Sequence, residues 1–154
     1  MSSTPTSIDP RGPRFVAAVT TVVLAVVLLT ASAWLLAAQT AVFALGAFAG
    51  LQRNPYSLLF ARFIRPRLEP PLELEASAPP RFAQGVGFAF TLFGTVALGL
   101  GATTAGLVAV GLALAAAFLN AAFGFCLGCE IYLLGRRLLG SRAPVTSSIE
   151  EAAA

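Results

Sequence analysis

From Phe15 to Leu51 the chain runs 37 residues without a charged side chain. A bilayer core roughly 30 Å thick is crossed by about 20 helical residues, so this run is too long for one span and suits two. The expected break is Thr30-Ala31-Ser32, just before Trp34, a residue type favoured at the membrane–water interface. The pattern predicts helix one over 15–31 and helix two over 33–51, joined by a tight turn. Phe82–Gly101 and Thr103–Cys129 are two further uncharged runs. They predict helix three over 82–100 and helix four over 103–134, the latter continuing past the membrane until Gly135-Arg136-Arg137. The expected fold is all-α, a bundle of four transmembrane helices built from two tight hairpins.

Polar segments frame these runs. Residues 1–14 and 141–154 are rich in Pro, Ser, Thr and Ala and read as disordered tails. Residues 52–81 hold Arg53, Arg62, Arg65, Arg67, Arg81, three glutamates and six prolines. Within them, Tyr56, Leu59, Phe60, Phe63 and Ile64 share one helical face between arginines. That pattern predicts a short interfacial helix with Arg53, Arg62 and Arg65 at lipid phosphates; the alternative is an extension of helix two. Residues 66–80 carry too much Pro for a regular helix and read as a linker.

Composition agrees with a membrane chain: 57% of residues are hydrophobic and 11% charged, against about 25% charged in soluble domains. There is no His and no Lys, which excludes Ser-His-Asp, Cys-His and His-based zinc chemistry. The net charge of +3 reads as topology signal, not as nucleic-acid affinity. All ten arginines fall in the N-terminal tail, the 52–81 loop or the C-terminal segment, and the two turns carry none. The positive-inside rule then places both termini and the loop in the cytoplasm, at a bacterial inner membrane. Ala31-Ser32-Ala33 also resembles a signal-peptide cleavage site, but small residues are equally expected at a hairpin turn, and a retained first helix is the expectation.

Small residues at Ala113, Ala117, Ala121, Gly124 and Gly128 line one face of helix four and predict close helix packing, Gly124 and Gly128 forming a G-x-x-x-G. Asn120 shares that face. Its expected partner is Gln84, Thr91 or Thr95 on helix three; the alternative role is lining a substrate path. Gln84 is expected at the depth of the one candidate for chemistry, Cys126-Leu127-Gly128-Cys129. Cysteines at i and i+3 can form a disulfide. Three readings stay open: a thiol-redox or sulfur-relay pair, a soft-metal site completed by Glu130, and inert packing. In an unbroken helix four the pair lies at the dipole end that disfavours thiolates, with Glu130 adding to the penalty. A break at Gly124 or Gly128 would change that balance.

The stretch Arg81-Phe82-Ala83-Gln84-Gly85-Val86-Gly87, followed by Leu119-Asn120-Ala121-Ala122-Phe123-Gly124-Phe125-Cys126-Leu127-Gly128-Cys129-Glu130-Ile131-Tyr132, resembles actinobacterial members of domain-of-unknown-function family 4395. The opening Asp9-Pro10-Arg11-Gly12-Pro13-Arg14-Phe15 and Asn54-Pro55-Tyr56 also fit, so the resemblance covers about residues 8–139. It implies a small bacterial integral membrane protein of no established activity, often associated with thioredoxin-like or rhodanese-like sulfurtransferase proteins. The leading expectation is a thiol-redox or sulfur-relay protein without a bound cofactor, its Cys126 and Cys129 facing a cytoplasmic partner. The other classes are a small-solute transporter or channel, which four short helices would form only as a homo-oligomer, and a membrane anchor acting through the 52–81 loop.

Overall fold

The computed structural model describes residues 7–140. The expected tail 141–154 and residues 1–6 lie outside that range. Helix α1 spans Arg11–Thr30, α2 Ala33–Ala44, α3 Pro55–Leu59, α4 Ala78–Gly99, α5 Thr103–Phe123 and α6 Leu127–Gly140. Two residues on either side of α1–α3 pair as antiparallel strands, β1 (Ser7–Ile8) with β2 (Glu75–Ala76).

The all-α bundle holds, and its helix count differs from four spans. Three helices are long and apolar enough to cross a membrane: α1, α4 and α5. The remaining apolar stretch, Ala33–Ala49, is shorter; α2 passes into a π-helical turn at Leu45–Ala49 and stops at Gly50, whose φ of 101° an L side chain rarely adopts. The segment after Gly50 is therefore a separate short helix and not an extension of helix two. Asn54 caps α3 through its side-chain oxygen, which accepts from Tyr56 N–H at 2.9 Å, and Pro55 opens the helix where a missing N–H costs nothing. The apolar face expected of this segment is divided. Phe60 is buried against Phe15 and the Tyr56 hydroxyl donates to Gln39 at 2.7 Å, while Leu59 and Phe63 stay exposed.

Two helices start earlier than expected, and for one reason. Prolines in the first turn, at Pro10 and Pro13 for α1 and at Pro79 and Pro80 for α4, remove only N–H groups that have no helical partner anyway. Part of the expected N-terminal tail is accordingly regular structure, with Ser7–Ile8 in β1 and α1 beginning at Arg11.

The long helices close into a ring in which α1 packs on α2, α2 on α4, α4 on α5 and α5 on α1. Its core is Leu24, Val27, Leu36, Val110 and Ala113. The tightest crossing between α4 and α5 is made by Gly94 and Gly106: a Cβ added at Gly106 would lie 2.9 Å from Leu98 and 3.2 Å from the Gly94 carbonyl. The row expected to do this on helix four does not act as a unit. Ala113 is buried, Gly124 ends the helix, and Gly128 belongs to α6. Three threonines inside the ring find hydrogen-bond partners there, which apolar surroundings favour. Thr40 meets Thr95 hydroxyl to hydroxyl at 3.2 Å, and Thr91 and Thr95 donate to their own helix at 2.8 and 2.7 Å.

The uncharged turns at 31–32 and 100–102 lie at one end of the bundle, and the arginine-bearing segments gather at the other. Arg81 donates to the carbonyls of Ala47 and Phe48 at 2.8 and 3.2 Å, closing the open C-terminal end of the π-helical turn. Arg14 reaches the Ala121 carbonyl at 3.5 Å near the end of α5. Arg11 donates to the Glu69 carbonyl at 2.8 Å and ties the N-terminal segment to the loop. Arg53, Arg62 and Arg65 are exposed at this end, and Trp34 is exposed at the other.

Candidate functional site

The Cys pair sits where one helix stops and another starts. Expected as one helix over 103–134, the chain instead ends α5 at Phe123 and begins α6 at Leu127. Gly124 makes the stop: its φ is +68°, and its N–H and that of Phe125 donate back to the carbonyls of Asn120 and Leu119 at 3.0 and 3.3 Å. Glycine takes this left-handed conformation without the penalty an L side chain incurs. The guanidinium of Arg14 stands over Gly124, 3.7 Å from where a Cβ would be, and places a positive charge at the C-terminal end of α5.

The break reverses the electrostatics expected for the pair. Cys126 now precedes the first residue of α6, its carbonyl accepting from Glu130 N–H at 3.0 Å. The N–H of Cys129, the third helical residue, donates to the Cys126 sulfur at 3.4 Å. Cys126 therefore stands in the position of an N-cap side chain, where unpaired N–H groups and the positive end of the dipole stabilise a negative sulfur. Glu130 lies in the first turn of α6, where its charge suits the helix but opposes a nearby thiolate. Cys126 and Cys129 are joined as a disulfide with Cα atoms 5.2 Å apart, and both side chains are half-buried. No group of three His, Cys, Asp or Glu able to hold a metal forms among the described residues, so Glu130 does not complete a set with the two sulfurs.

Helix α6 is held against the start of α4. Gly128 meets Ala83 so closely that an added Cβ would lie 2.7 Å from both its Cα and its Cβ. Phe82 and Tyr132 stack at 5.7 Å beside this crossing. Gly128 is thus a helix-packing glycine, but between α6 and α4.

Asn120 does not meet Gln84, Thr91 or Thr95. The Gln84 oxygen accepts instead from the amide of Asn54 at 3.3 Å, and the side chain of Asn120 has no hydrogen-bond partner among the described residues. Both Asn120 and Gln84 line a cavity of about 620 Å³ at the arginine-bearing end, bordered by α1, α4, α5 and α6 and by the segment around α3, and so does Cys126. Two buried polar atoms on residues of the same cavity also lack partners among the described residues: Thr20 Oγ1, on a residue 2% exposed, and Asp9 Oδ2. Asp9 and Arg14 escaped the reading by sequence because each lies in what reads as a tail; the one local signal was Pro at 10 and 13, which suits a helix start.

Burial works to raise the Asp9 carboxyl, yet hydrogen bonds from the backbone and side chain of Arg11, with the charges of Arg11 and Arg65, prevail and hold it below its ordinary value. A depressed carboxyl contributes stability above its unfolded value of 3.8, and that contribution is lost as pH falls through the lower folded value. Asp9→Asn is therefore expected to be less stable than the wild type at neutral pH and to lose less on acidification below pH 3.8. Unfolding of the full chain in detergent across that range measures both differences.

Residues 8–137 match the family model described as a domain of unknown function, DUF4395. No curated protein and no solved structure matches the chain.

Proposed function

The chain belongs to the DUF4395 family, and with no activity attached to that family we propose, from the geometry, that this is a protein of the bacterial cytoplasmic membrane working by dithiol–disulfide exchange at Cys126 and Cys129. The observation that carries the proposal is the N-cap position of Cys126, which accepts the Cys129 N–H at the start of α6. The arginines gathered at the same end favour a cytoplasmic site through the positive-inside rule. Disulfides facing the reducing cytosol are usually transient and catalytic, which suits a working pair over a structural staple.

The step balances with a thioredoxin-like dithiol as the partner. Its thiolate attacks the sulfur of Cys129, and the disulfide breaks to release the stabilised Cys126 thiolate, the better leaving group. The partner's second thiol then attacks the mixed disulfide, leaving the partner oxidised and Cys126 and Cys129 reduced.

Membrane-impermeant maleimide, applied to sealed vesicles of either orientation before and after reduction, tests the reading. Labelling is expected only after reduction and only where the cytoplasmic face is outward. Cys129→Ser should trap no mixed disulfide with a thioredoxin-like protein, whereas Cys126→Ser should trap one through Cys129. A pair that stays unlabelled from both faces after reduction, or equal trapping by both variants, would sink the proposal.

A further inference from the structure

The cavity that Cys126 lines extends into the bundle. It runs along α1 from Pro13 to Thr20, seven residues or about 10 Å of helix. Thr20 is midway along a helix long enough to cross a membrane, and Phe90 and Leu112, from the middle of α4 and α5, line the same space. The volume is within the range of sites for small organic ligands. Any occupant reaching Thr20 lies at the depth of the hydrocarbon, so the ligand is apolar enough to partition there.

Its lining is not that of a simple acyl-chain pocket. The Asn120 amide, half-buried near the end of α5, is a hydrogen-bond donor without a partner among the described residues. An alkyl chain would leave it unsatisfied, a cost that a carbonyl oxygen removes. The same cavity is lined by Cys126, the sulfur released as thiolate in the exchange step. An apolar ring bearing hydrogen-bond-accepting oxygens and able to take two electrons from a dithiol answers to the apolar lining, the Asn120 amide and the Cys126 sulfur together.

We infer that the cavity binds a lipid-soluble quinone, which takes two electrons from the reduced Cys126–Cys129 pair. The Cys126 thiolate adds to a ring carbon. The Cys129 thiolate attacks the Cys126 sulfur, the new carbon–sulfur bond breaks, and its electron pair stays on the ring. The disulfide re-forms, and the two protons of the dithiol end on the quinone oxygens as hydroquinone. The electron step rests on the thiol-exchange reading; occupation of the cavity does not.

The test uses the full chain in lipid nanodiscs with decylubiquinone as probe. Binding is read by equilibrium partition, and electron transfer by the anaerobic absorbance change after reduction and removal of reductant. The Cys126→Ser/Cys129→Ser double variant should still bind the probe saturably, and only the wild type should reduce it. Asn120→Leu, of nearly the same shape, should weaken binding about threefold to tenfold, and Ala117→Leu, which fills the cavity, should weaken it further. Saturable binding unaffected by both substitutions, or displaced equally well by oleate, overturns the inference and leaves the exchange proposal to its labelling test. Binding without oxidation of the dithiol also overturns it. If the exchange proposal alone fails, the vesicle labelling fails while the partition results stand.

Discussion

Gly128→Leu is expected to lift α6 off α4 and to lower the stability of the described fold by about 1–3 kcal/mol, the usual cost of forcing extra methylenes into a closed contact. The reason is local. A Cβ at Gly128 would come within 2.7 Å of Ala83 Cα, a backbone atom that cannot swing aside. Even Gly128→Ala should therefore cost part of this amount. Ala83→Gly should rescue Gly128→Ala only partly, because it removes the clash with Cβ and leaves the one with Cα. Thermal unfolding in detergent measures the stabilities, and solvent exchange of the 127–140 amides reports the position of α6. A Gly128→Leu variant as stable as wild type, with α6 still protected, would show that the crossing is not closed.

The second large effect is on reactivity. Gly124→Val places a β-branched side chain at φ +68°, where an ordinary L residue already costs about 1–2 kcal/mol. The chain relieves the strain by letting α5 run on, and Cys126 then loses its place before the first turn of α6. The reduced variant should alkylate with iodoacetamide along a pH profile whose midpoint lies higher than that of the wild type, because the thiolate has lost the helix start that stabilised it. Gly124→Asn is the control, since Asn tolerates the left-handed region and should keep a profile close to wild type. Superimposable profiles for all three proteins would mean that the helix start does not act on Cys126.

These two glycines mark where reading by sequence stops. Gly124 and Gly128, four apart with alanines upstream, present the pattern of a packing face on a continuous helix. The same four-residue spacing also accommodates a helix stop followed by a new helix, and nothing local separates the two. What separates them is distant in the chain: the Arg14 guanidinium over Gly124, and Ala83 against Gly128. Asn120 and Gln84 illustrate the same limit. Both are legible as polar residues that need partners, but choosing a partner depends on helix register, which Asn54 settles by arriving from the loop. Arg81 likewise reads as a charge at a membrane edge, whereas in the fold it completes the carbonyls of a π-helical turn.

The sequence by itself determined the apolar helices and the arginine-free turns, because charge within an apolar span is costly enough for its absence to mark the spans. Their lengths came out shorter at α2 and longer at the starts of α1 and α4, where Gly50 and first-turn prolines act. Tertiary structure alone decided the end of α5, the docking of α6, and hence which end of a helix the Cys pair occupies. That decision rests on contacts between residues far apart in the chain, such as Arg14 with Ala121, 107 positions away. Helix periodicity holds no information about such contacts, and they turn Cys126 from a residue late in a helix into one at its start.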